Sequence, residues 1–169
     1  TVVSEETFCR GYLAGHVPDM TPIRRILRSN PADVIAREFG LSGPRQAVVT
    51  ACASGTDAVG IAGSWIRAGL CDAAIAGGAD ELGRITYIGF ISLMITDDSP
   101  CKPFDQHRKG LNLGEGAAML VLASERALRR TGMRARSFLL GYGSAGDAYH
   151  MTAPRPDGAG LRSAISEAM

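Results

Sequence analysis

The hydrophobic residues of the chain form short runs, separated by longer segments of small and polar residues. Runs of this length, rich in Val, Ile, Leu and Ala, are typical of strands that are buried on both faces of a sheet. Four strands are predicted, in residues 45–51, 72–76, 117–123 and 136–148. Helices are predicted in residues 30–39, 54–69, 124–132 and 158–168. Because strands and helices alternate along the chain, the pattern predicts an α/β fold whose strands are covered on both faces.

The segments between these elements are predicted from their turn and capping residues. Asn30 is expected to cap the first predicted helix, with Pro31 at its first position and Gly40 just beyond its end. Loops are predicted in residues 15–25 and 99–110, each of which contains two prolines, and a helical or irregular piece in residues 86–94.

The predicted helix 54–69 is unusually poor in bulky side chains. Its small residues are Gly55, Ala58, Gly60, Ala62, Gly63 and Ser64. Each glycine inside a helix costs up to ~1 kcal/mol relative to alanine. A helix that contains several of them is expected to be approached closely by other elements, in the middle of the molecule.

Composition and charge narrow the classes of function. Of the 169 residues, 46% are hydrophobic and 21% are charged, as in soluble globular domains. The net charge of +1 gives no electrostatic reason to expect binding to nucleic acid or to a membrane. No apolar run approaches the ~18 residues that span a bilayer, and the opening TVVSEETFCRG lacks the design of a signal peptide. The chain starts with Thr1 and stops on a predicted helix, so we expect a fragment of a longer protein.

The four cysteines are widely spaced, with no C-x-x-C pair and no histidine at ligand spacing. They are Cys9, Cys52, Cys71 and Cys101. The pattern therefore predicts no metal site. So low a cysteine density fits free thiols in a reducing compartment, and a cytoplasmic location is expected.

Cys52 stands in VVTACASGTDAVG, where a predicted strand meets the glycine-rich helix. Two interpretations are open at this point: a small buried apolar residue, or a nucleophile. The N-terminus of a helix favours the thiolate, and its N–H groups can stabilise an oxyanion formed by attack on a thioester carbonyl. The sharp turn is similar in principle to the elbow that presents serine in hydrolases, and Ser54 and Gly55 leave room for an acyl group.

The segment GYGSAGDA matches G-x-G-x-x-G with Gly141, Gly143 and Gly146, and it follows a predicted strand. A dinucleotide site would need a helix next, whereas the chain continues DAYHMTAPRPDG, with two prolines. The pattern therefore favours a tight bend over a cofactor site.

A nucleophile also needs a base or a polarising partner, and the chain contains three histidines. His107 lies in the charged loop DQHRKG, where exposure to solvent is expected, and His16 lies in a loop with prolines. His150 lies in a polar, conformationally restricted segment. A functional contact and a structural contact are equally expected for it.

Three blocks together, in this order, resemble the β-ketoacyl-(acyl carrier protein) synthases, the decarboxylating condensing enzymes of fatty acid and polyketide synthesis. The blocks are TACASGTDAVGIAGSWIRAGLCDAAIAGGADEL, CKPFDQHRKGLNLGEGAAMLVL and GYGSAGDAYHMTAPRPDGAG. The resemblance runs from about Phe39 to the last residue. It implies a thiolase-like, layered αβαβα fold built of two halves, present here only in part. Residues 1–125 would be the later part of the first half, which carries the nucleophile, and residues 126–169 the start of the second.

The resemblance also implies roles for individual residues. Cys52 matches the nucleophile that accepts the acyl chain as a thioester. His150 and Thr152 match a stretch at the mouth where the phosphopantetheine arm of the carrier enters, and Phe90 falls in the region that borders the acyl pocket. Three further positions match residues that hold loops by buried, charge-assisted hydrogen bonds: Asp105, Arg108 and Glu115.

Partners and limits follow from the same resemblance. It implies an acyl carrier protein as partner, no cofactor beyond the phosphopantetheine of that carrier, and a homodimer of the full-length protein. The two histidines that decarboxylate malonyl groups in the family, one of them in H-G-T-G-T, would follow residue 169, so we expect no condensation from these residues alone. His150 is not one of the two.

Alternatives remain open from the sequence. ISLMITDDSP departs from the family where a carrier-facing arginine is often found, which leaves the contact with the carrier and the acyl preference undecided. A thiolase-like acyltransferase that uses coenzyme A is the second candidate enzyme, which the DAYHMTAP segment makes less favoured. The third candidate is a non-catalytic interaction protein in which Cys52 only packs.

Overall fold

In a computed structural model, residues 2–17, 19–28 and 31–169 are described, and they form seven α-helices, one 3-10 helix and two strands. The order is α1 (Val2–Leu13), α2 (Thr21–Arg28), α3 (Pro31–Glu38), a 3-10 helix (Ala51–Ala53), α4 (Ser54–Arg67), β1 (Ala73–Asp80), α5 (Arg84–Ser92), β2 (Gly116–Ala123), α6 (Glu125–Thr131) and α7 (Ala159–Ala168). The predicted mixture of helices and strands is confirmed.

The chain divides into two compact units, and each is made of two segments. The first contains the residues up to Ala47 together with Ala79–Ala117. The second contains Val48–Gly78 and Ala118–Met169, and therefore includes α4, α6 and α7. The predicted boundary at 125/126 concerns the two halves of the longer family fold, and it stays a prediction.

Strands β1 and β2 pair with each other in antiparallel orientation. The N–H of Ser124 donates to the carbonyl of Asp72 at 2.8 Å, whereas Gly77 lies against Ala118 and Met119. Residue numbers thus rise along one strand as they fall along the other. The prediction that a strand lies at 72–76 is confirmed, but it continues through Gly77 to Asp80 and does not close there.

Two predicted strands are wrong. Residues 45–50 have no strand partner among the described residues, and Val49 is 89% exposed. Residues 136–148 likewise form no strand, although Leu139 and Tyr142 pack their side chains on α4. An apolar, β-branched run favours an extended backbone, but a strand also requires a neighbouring backbone to bond with.

The predicted loop at 15–25 is also wrong in its second half, where α2 begins. Asp19 accepts hydrogen bonds from the N–H and the hydroxyl of Thr21, at 2.9 and 2.8 Å. Pro22 is the second helical residue, where its missing N–H would have no partner within the helix anyway. The proline therefore starts a helix instead of breaking one.

The helices predicted at 30–39, 124–132 and 158–168 are confirmed as α3, α6 and α7. Gly40 follows α3 with a φ of +62°, as expected of its C-terminal position, and Asn30 lies outside the described residues. For α6, the Ser124 side chain accepts from the N–H of Ala127 at 3.1 Å, and Gly132 has a φ of +69°. Local capping residues therefore fix both ends of α6.

Helix α4 lies at the centre of the second unit, and the prediction of close approach is confirmed. Its buried residues are Asp57, Gly60, Ala62 and Gly63. A Cβ atom on Gly60 would lie 2.1 Å from the ring of Tyr142, and one on Gly63 would lie 2.5 Å from Leu139. Gly60 and Gly63 are thus explained by the side chains that lie directly on the helix backbone.

No helix among the described residues is both long and apolar enough to cross a membrane. Within the same ranges, no three His, Cys, Asp or Glu side chains are grouped closely enough to hold a metal ion.

Candidate active site

Cys52 lies in the middle of the 3-10 helix Ala51–Ala53, which leads directly into α4. Its thiol is free and exposed. The preceding residue, Ala51, has a φ of +52°, in the left-handed region that residues with a Cβ atom rarely adopt. Such a conformation costs of the order of 1–3 kcal/mol and persists only where the surroundings impose it. The chain therefore makes a strained, sharp turn just before the thiol.

Three hydrogen bonds impose this turn. The N–H of Thr50 donates to the hydroxyl oxygen of Ser54 at 2.8 Å, and that hydroxyl donates to the carbonyl of Ala51 at 2.7 Å. The N–H of Ala53 donates to the carbonyl of Thr50 at 3.2 Å. Ser54 thus bridges the two residues before Cys52. The N-cap residue of α4 is Ala53, which has no side-chain acceptor for the N–H groups of the first turn.

Beneath the turn, the carboxylate of Asp57 is buried, with only 6% of the residue exposed. The hydroxyl of Thr50 donates to its Oδ2 at 2.5 Å, and the hydroxyl of Tyr142 donates to its Oδ1 at 2.8 Å. The bond from Thr50, and next that from Tyr142, hold the pKa of the Asp57 carboxyl below its usual range, against the opposite effect of burial. Asp57 is therefore a charged acceptor for these two hydroxyls, and the Ser144 side chain lowers its pKa by a smaller amount.

Tyr142 complements this carboxylate. Its hydrogen bond to Asp57, and then burial, raise the pKa of the Tyr142 phenol above its ordinary value of 10.0. The phenol accordingly remains a donor at neutral pH. Its ring lies on the backbone of α4 at Gly60, where no larger residue would fit. Sequence reasoning missed both Asp57 and Tyr142, because 85 residues separate them and the segments that contain them drew attention to other residues.

The lowered pKa values of two aspartates predict how stability depends on pH. The pKa of Asp57 is lowered from 3.8, and so is that of Asp72, mainly by the hydrogen bond from Arg126. Groups with a lowered folded-state pKa stabilise the fold above their unfolded value, and this stabilisation is lost as pH falls through the folded value. We expect the melting temperature of the full-length protein to fall steeply below about pH 4, and Asp72→Asn to make the profile shallower. A profile for Asp72→Asn as steep as that of the wild type would contradict the prediction.

His150 and Thr152 lie together in one exposed turn. The Nδ1 atom of His150 accepts hydrogen bonds from the N–H groups of Thr152 and Ala153, both at 3.1 Å. This arrangement requires a lone pair on Nδ1 and places the imidazole proton on Nε2. His150 thus shapes its own turn, and its role at the mouth of the site stays a prediction.

Phe90 lies in α5, in the first unit, and is half-buried. It lines a pocket of about 600 Å3 within that unit, together with Leu82, Thr86, Leu113 and the acidic Asp80 and Glu81. The pocket combines an apolar wall with two carboxylates. That it holds an acyl chain stays a prediction.

The three loop residues predicted to be structural do make loop hydrogen bonds, but they are exposed and not buried. Asp105 accepts from the N–H of His107 at 2.6 Å, and Arg108 donates to the carbonyl of Asp105 at 3.0 Å. Glu115 accepts from the N–H of Leu82 at 3.2 Å. Burial is therefore the part of that prediction that is wrong.

Gly141 and Gly143 are needed for close packing and not for a tight bend. A Cβ atom on Gly141 would lie 1.7 Å from the carbonyl oxygen of Ala168, and one on Gly143 would lie 2.0 Å from that of Ala164. Both oxygens belong to α7. The expected bend at these glycines is therefore replaced by direct contact between the segment and α7.

Comparison with known proteins defines the class. A family model described as the N-terminal domain of beta-ketoacyl synthase matches residues 11–127. The chain therefore belongs to the β-ketoacyl synthase family, and its fold is that of the thiolase-like condensing enzymes.

Individual relatives agree with this class. The chain is 38% identical over 141 residues to 3-oxoacyl-[acyl-carrier-protein] synthase 2 of Staphylococcus aureus, which covers 80% of the chain and 35% of that protein. A 3-oxoacyl-[acyl-carrier-protein] synthase homolog of Saccharomyces cerevisiae is 36% identical over 149 residues, with 87% of the chain and 34% of that protein covered. The chain thus spans about a third of the length of these curated relatives.

Solved structures are similar over nearly the whole chain. The ishigamide ketosynthase/chain length factor matches with a TM-score of 0.84 and 37% identity, over 98% of this chain and 42% of that one. A ketosynthase in complex with its chain length factor, from Xenorhabdus doucetiae, matches with a TM-score of 0.79 and 31% identity, over 98% and 40%.

Proposed function

We propose that the chain carries the acyl-accepting nucleophile of a 3-oxoacyl-(acyl carrier protein) synthase, and that this nucleophile is Cys52. The observation that carries the proposal is the turn at Ala51, whose φ of +52° places an exposed thiol at the start of α4. A strained turn that presents a nucleophilic side chain at a helix N-terminus is an arrangement that suits nucleophilic acyl transfer.

The first half-reaction follows from this geometry. The Cys52 thiolate attacks the carbonyl carbon of an acyl thioester, and the oxyanion that forms is stabilised by backbone N–H groups at the start of α4. When the tetrahedral intermediate collapses, the new S–C bond stays on Cys52 and the bond to the carrier sulfur breaks. The carrier thiolate takes up the proton that Cys52 gave up.

The second half-reaction is proposed for the full-length protein. A malonyl-carrier loses carbon dioxide, its carbanion attacks the acyl carbon on Cys52, and the cysteine leaves as thiolate. The product is a 3-oxoacyl-carrier. The decarboxylating histidines expected of the family lie outside residues 1–169, in which no H-G-T-G-T segment occurs. The pathway served is fatty acid or polyketide synthesis; support comes from relatives named as a 3-oxoacyl-carrier synthase and as a type II PKS ketosynthase.

The partner is an acyl carrier protein, whose phosphopantetheine arm carries the substrates, so no other cofactor is involved. Support comes from a solved structure described as a type II PKS acyl-carrier protein in complex with its ketosynthase. The matching chain of that structure is 29% identical to this one, with a TM-score of 0.82. His150 and Thr152 line the entrance for the arm, and Phe90 borders the pocket for the acyl chain. The pocket beside Phe90 supports the second assignment.

Oligomeric state, domains and location complete the proposal. The full-length protein is a cytoplasmic homodimer, and residues 1–125 and 126–169 belong to its first and second halves. Exposed apolar side chains such as Val121 and Leu140, which are 73% and 94% exposed, leave surface that the rest of the full-length protein or a second copy would cover. The coenzyme A-dependent alternative is not favoured, because the relatives are synthases named for a carrier protein.

The proposal is tested by locating the acyl adduct. Incubation of the full-length protein with an acyl thioester of N-acetylcysteamine, followed by peptide mass spectrometry, should give one adduct, on Cys52. The exposed thiols of Cys9 and Cys101 serve as internal references in the same sample. An adduct on either of these with none on Cys52 would refute the assignment and favour the non-catalytic alternative.

A further inference from the structure

The proposed chemistry makes no use of Asp57, the buried charged residue beneath the turn. A carboxylate inside a protein is costly unless hydrogen bonds compensate its lost hydration. Here both of its oxygens are occupied by neutral hydroxyls, from residues 7 positions before it and 85 positions after it. A buried charge that joins two distant segments next to a nucleophile calls for a functional explanation.

The bonds of Asp57 lead directly to the strained turn. Thr50, which donates its hydroxyl to Oδ2, also donates its backbone N–H to Ser54. Ser54 in turn holds the carbonyl of Ala51. Thr50 is thereby bonded to α4 twice. Its side chain bonds to Asp57, and its backbone bonds to Ser54 at the start of the same helix.

Tyr142 fixes the carboxylate from the opposite side. Its hydroxyl donates to Oδ1 while its ring lies on Gly60, one helical turn further along α4. A carboxylate offers acceptors on both oxygens and no donor, so it can receive both hydroxyls at once. Bonds to an ionised acceptor are also stronger than those between neutral groups.

We propose that Asp57 is a positioning residue for Cys52, which ties Thr50 and Tyr142 together and thereby holds the turn at Ala51 in the geometry needed for acyl transfer. The turn sets the direction of the Cys52 thiol, and of the backbone N–H groups at the start of α4, relative to the thioester carbonyl. The inference rests on the proposed role of Cys52 as nucleophile and adds the residues that aim it.

The test compares two reactions of the same thiol in the full-length protein. Acylation by an N-acetylcysteamine thioester requires an oriented oxyanion site, whereas alkylation by iodoacetamide requires only an accessible thiolate. Thr50→Val keeps the shape of the side chain and removes the donor to Asp57, and Thr50→Ser keeps the donor. Both rates are measured at Cys52 by quenched peptide mass spectrometry.

We expect Thr50→Val to lower the acylation rate about tenfold or more, the effect of one hydrogen bond to a charged group, and alkylation by less than about twofold. Thr50→Ser should acylate within about threefold of the wild type, because the bond to Asp57 is retained. Tyr142→Phe, which keeps the ring on Gly60, should resemble Thr50→Val and serves as the second variant if Thr50→Val does not fold.

Thr131→Val is the matched control, since it removes a hydroxyl that donates to the carbonyl of Ala127 within α6 at 2.9 Å. It should leave both rates at the wild-type value. Acylation by Thr50→Val at the wild-type rate, equal slowing in Thr50→Ser, or a parallel loss of acylation and alkylation would each overturn the proposal. Failure of the proposed function is a separate outcome: in the wild type, mass spectrometry would then find the acyl adduct on a residue other than Cys52.

Discussion

Replacing Cys52 by alanine should abolish the acyl adduct and lower condensation by the full-length protein at least about 1,000-fold, because no other group takes over a covalent step. The measurement is the rate of 3-oxoacyl-carrier formation from acyl- and malonyl-carrier. Cys52→Ser should also be strongly impaired. Serine is nearly as small as cysteine, so a loss with this variant reflects the missing thiolate and not altered packing.

The control for this prediction is Cys101→Ala, which removes another exposed thiol from the chain. It should condense at the wild-type rate. Residual turnover above about a tenth of the wild-type rate in Cys52→Ala would show that the acyl group is held elsewhere, since loss of a covalent nucleophile costs far more than tenfold.

Gly60→Ala should lower the free energy of unfolding by ~1–3 kcal/mol, the usual cost of inserting a methyl group into a tightly packed site. The new Cβ would lie 2.1 Å from the ring of Tyr142, so the ring must move off α4. Its hydroxyl would then be drawn away from Asp57, and acylation of Cys52 should slow as well. Urea denaturation of the full-length protein, alongside the acylation assay, measures both effects.

Gly55→Ala is the matched control on the same helix. Apart from the adjacent residues and the backbone of α4 itself, no atom lies within 4 Å of the position that a Cβ on Gly55 would occupy. Because alanine favours a helix over glycine by up to ~1 kcal/mol, this variant should be as stable as the wild type or slightly more stable. Equal destabilisation by both substitutions would mean that the ring of Tyr142 does not lie on α4.

Much of the candidate site could be predicted from local sequence. Helix α4 begins at Ser54 as expected from the strand-like run before it and the small residues after it, and Cys52 lies at that junction. Such features depend on residues within one or two turns of each other, so local composition and spacing suffice to predict them. The three sequence blocks that resemble the condensing enzymes indicated the family, which the match over residues 11–127 shows.

The strands were less predictable, because each depends on a partner that is distant in the chain. Residues 45–50 have the composition of a strand, yet among the described residues no backbone pairs with them. Conversely, β1 runs through two glycines that punctuate loops elsewhere, because β2 bonds alongside it. Composition indicates a preference for extended backbone, whereas hydrogen bonding to a neighbouring backbone decides whether a strand forms.

By itself, the sequence determined the family, the helix that follows the nucleophile and the place of Cys52 at its start, since all of these are set by neighbouring residues. Only the tertiary structure decided what lies beneath the turn. In the sequence, Asp57 is an ordinary polar position of a helix. In the structure, Tyr142, 85 residues later, lies on Gly60 and donates its hydroxyl to the Asp57 carboxylate. A contact of that separation leaves no periodic or local trace in the chain, because it arises only when the helix and the distant segment pack together.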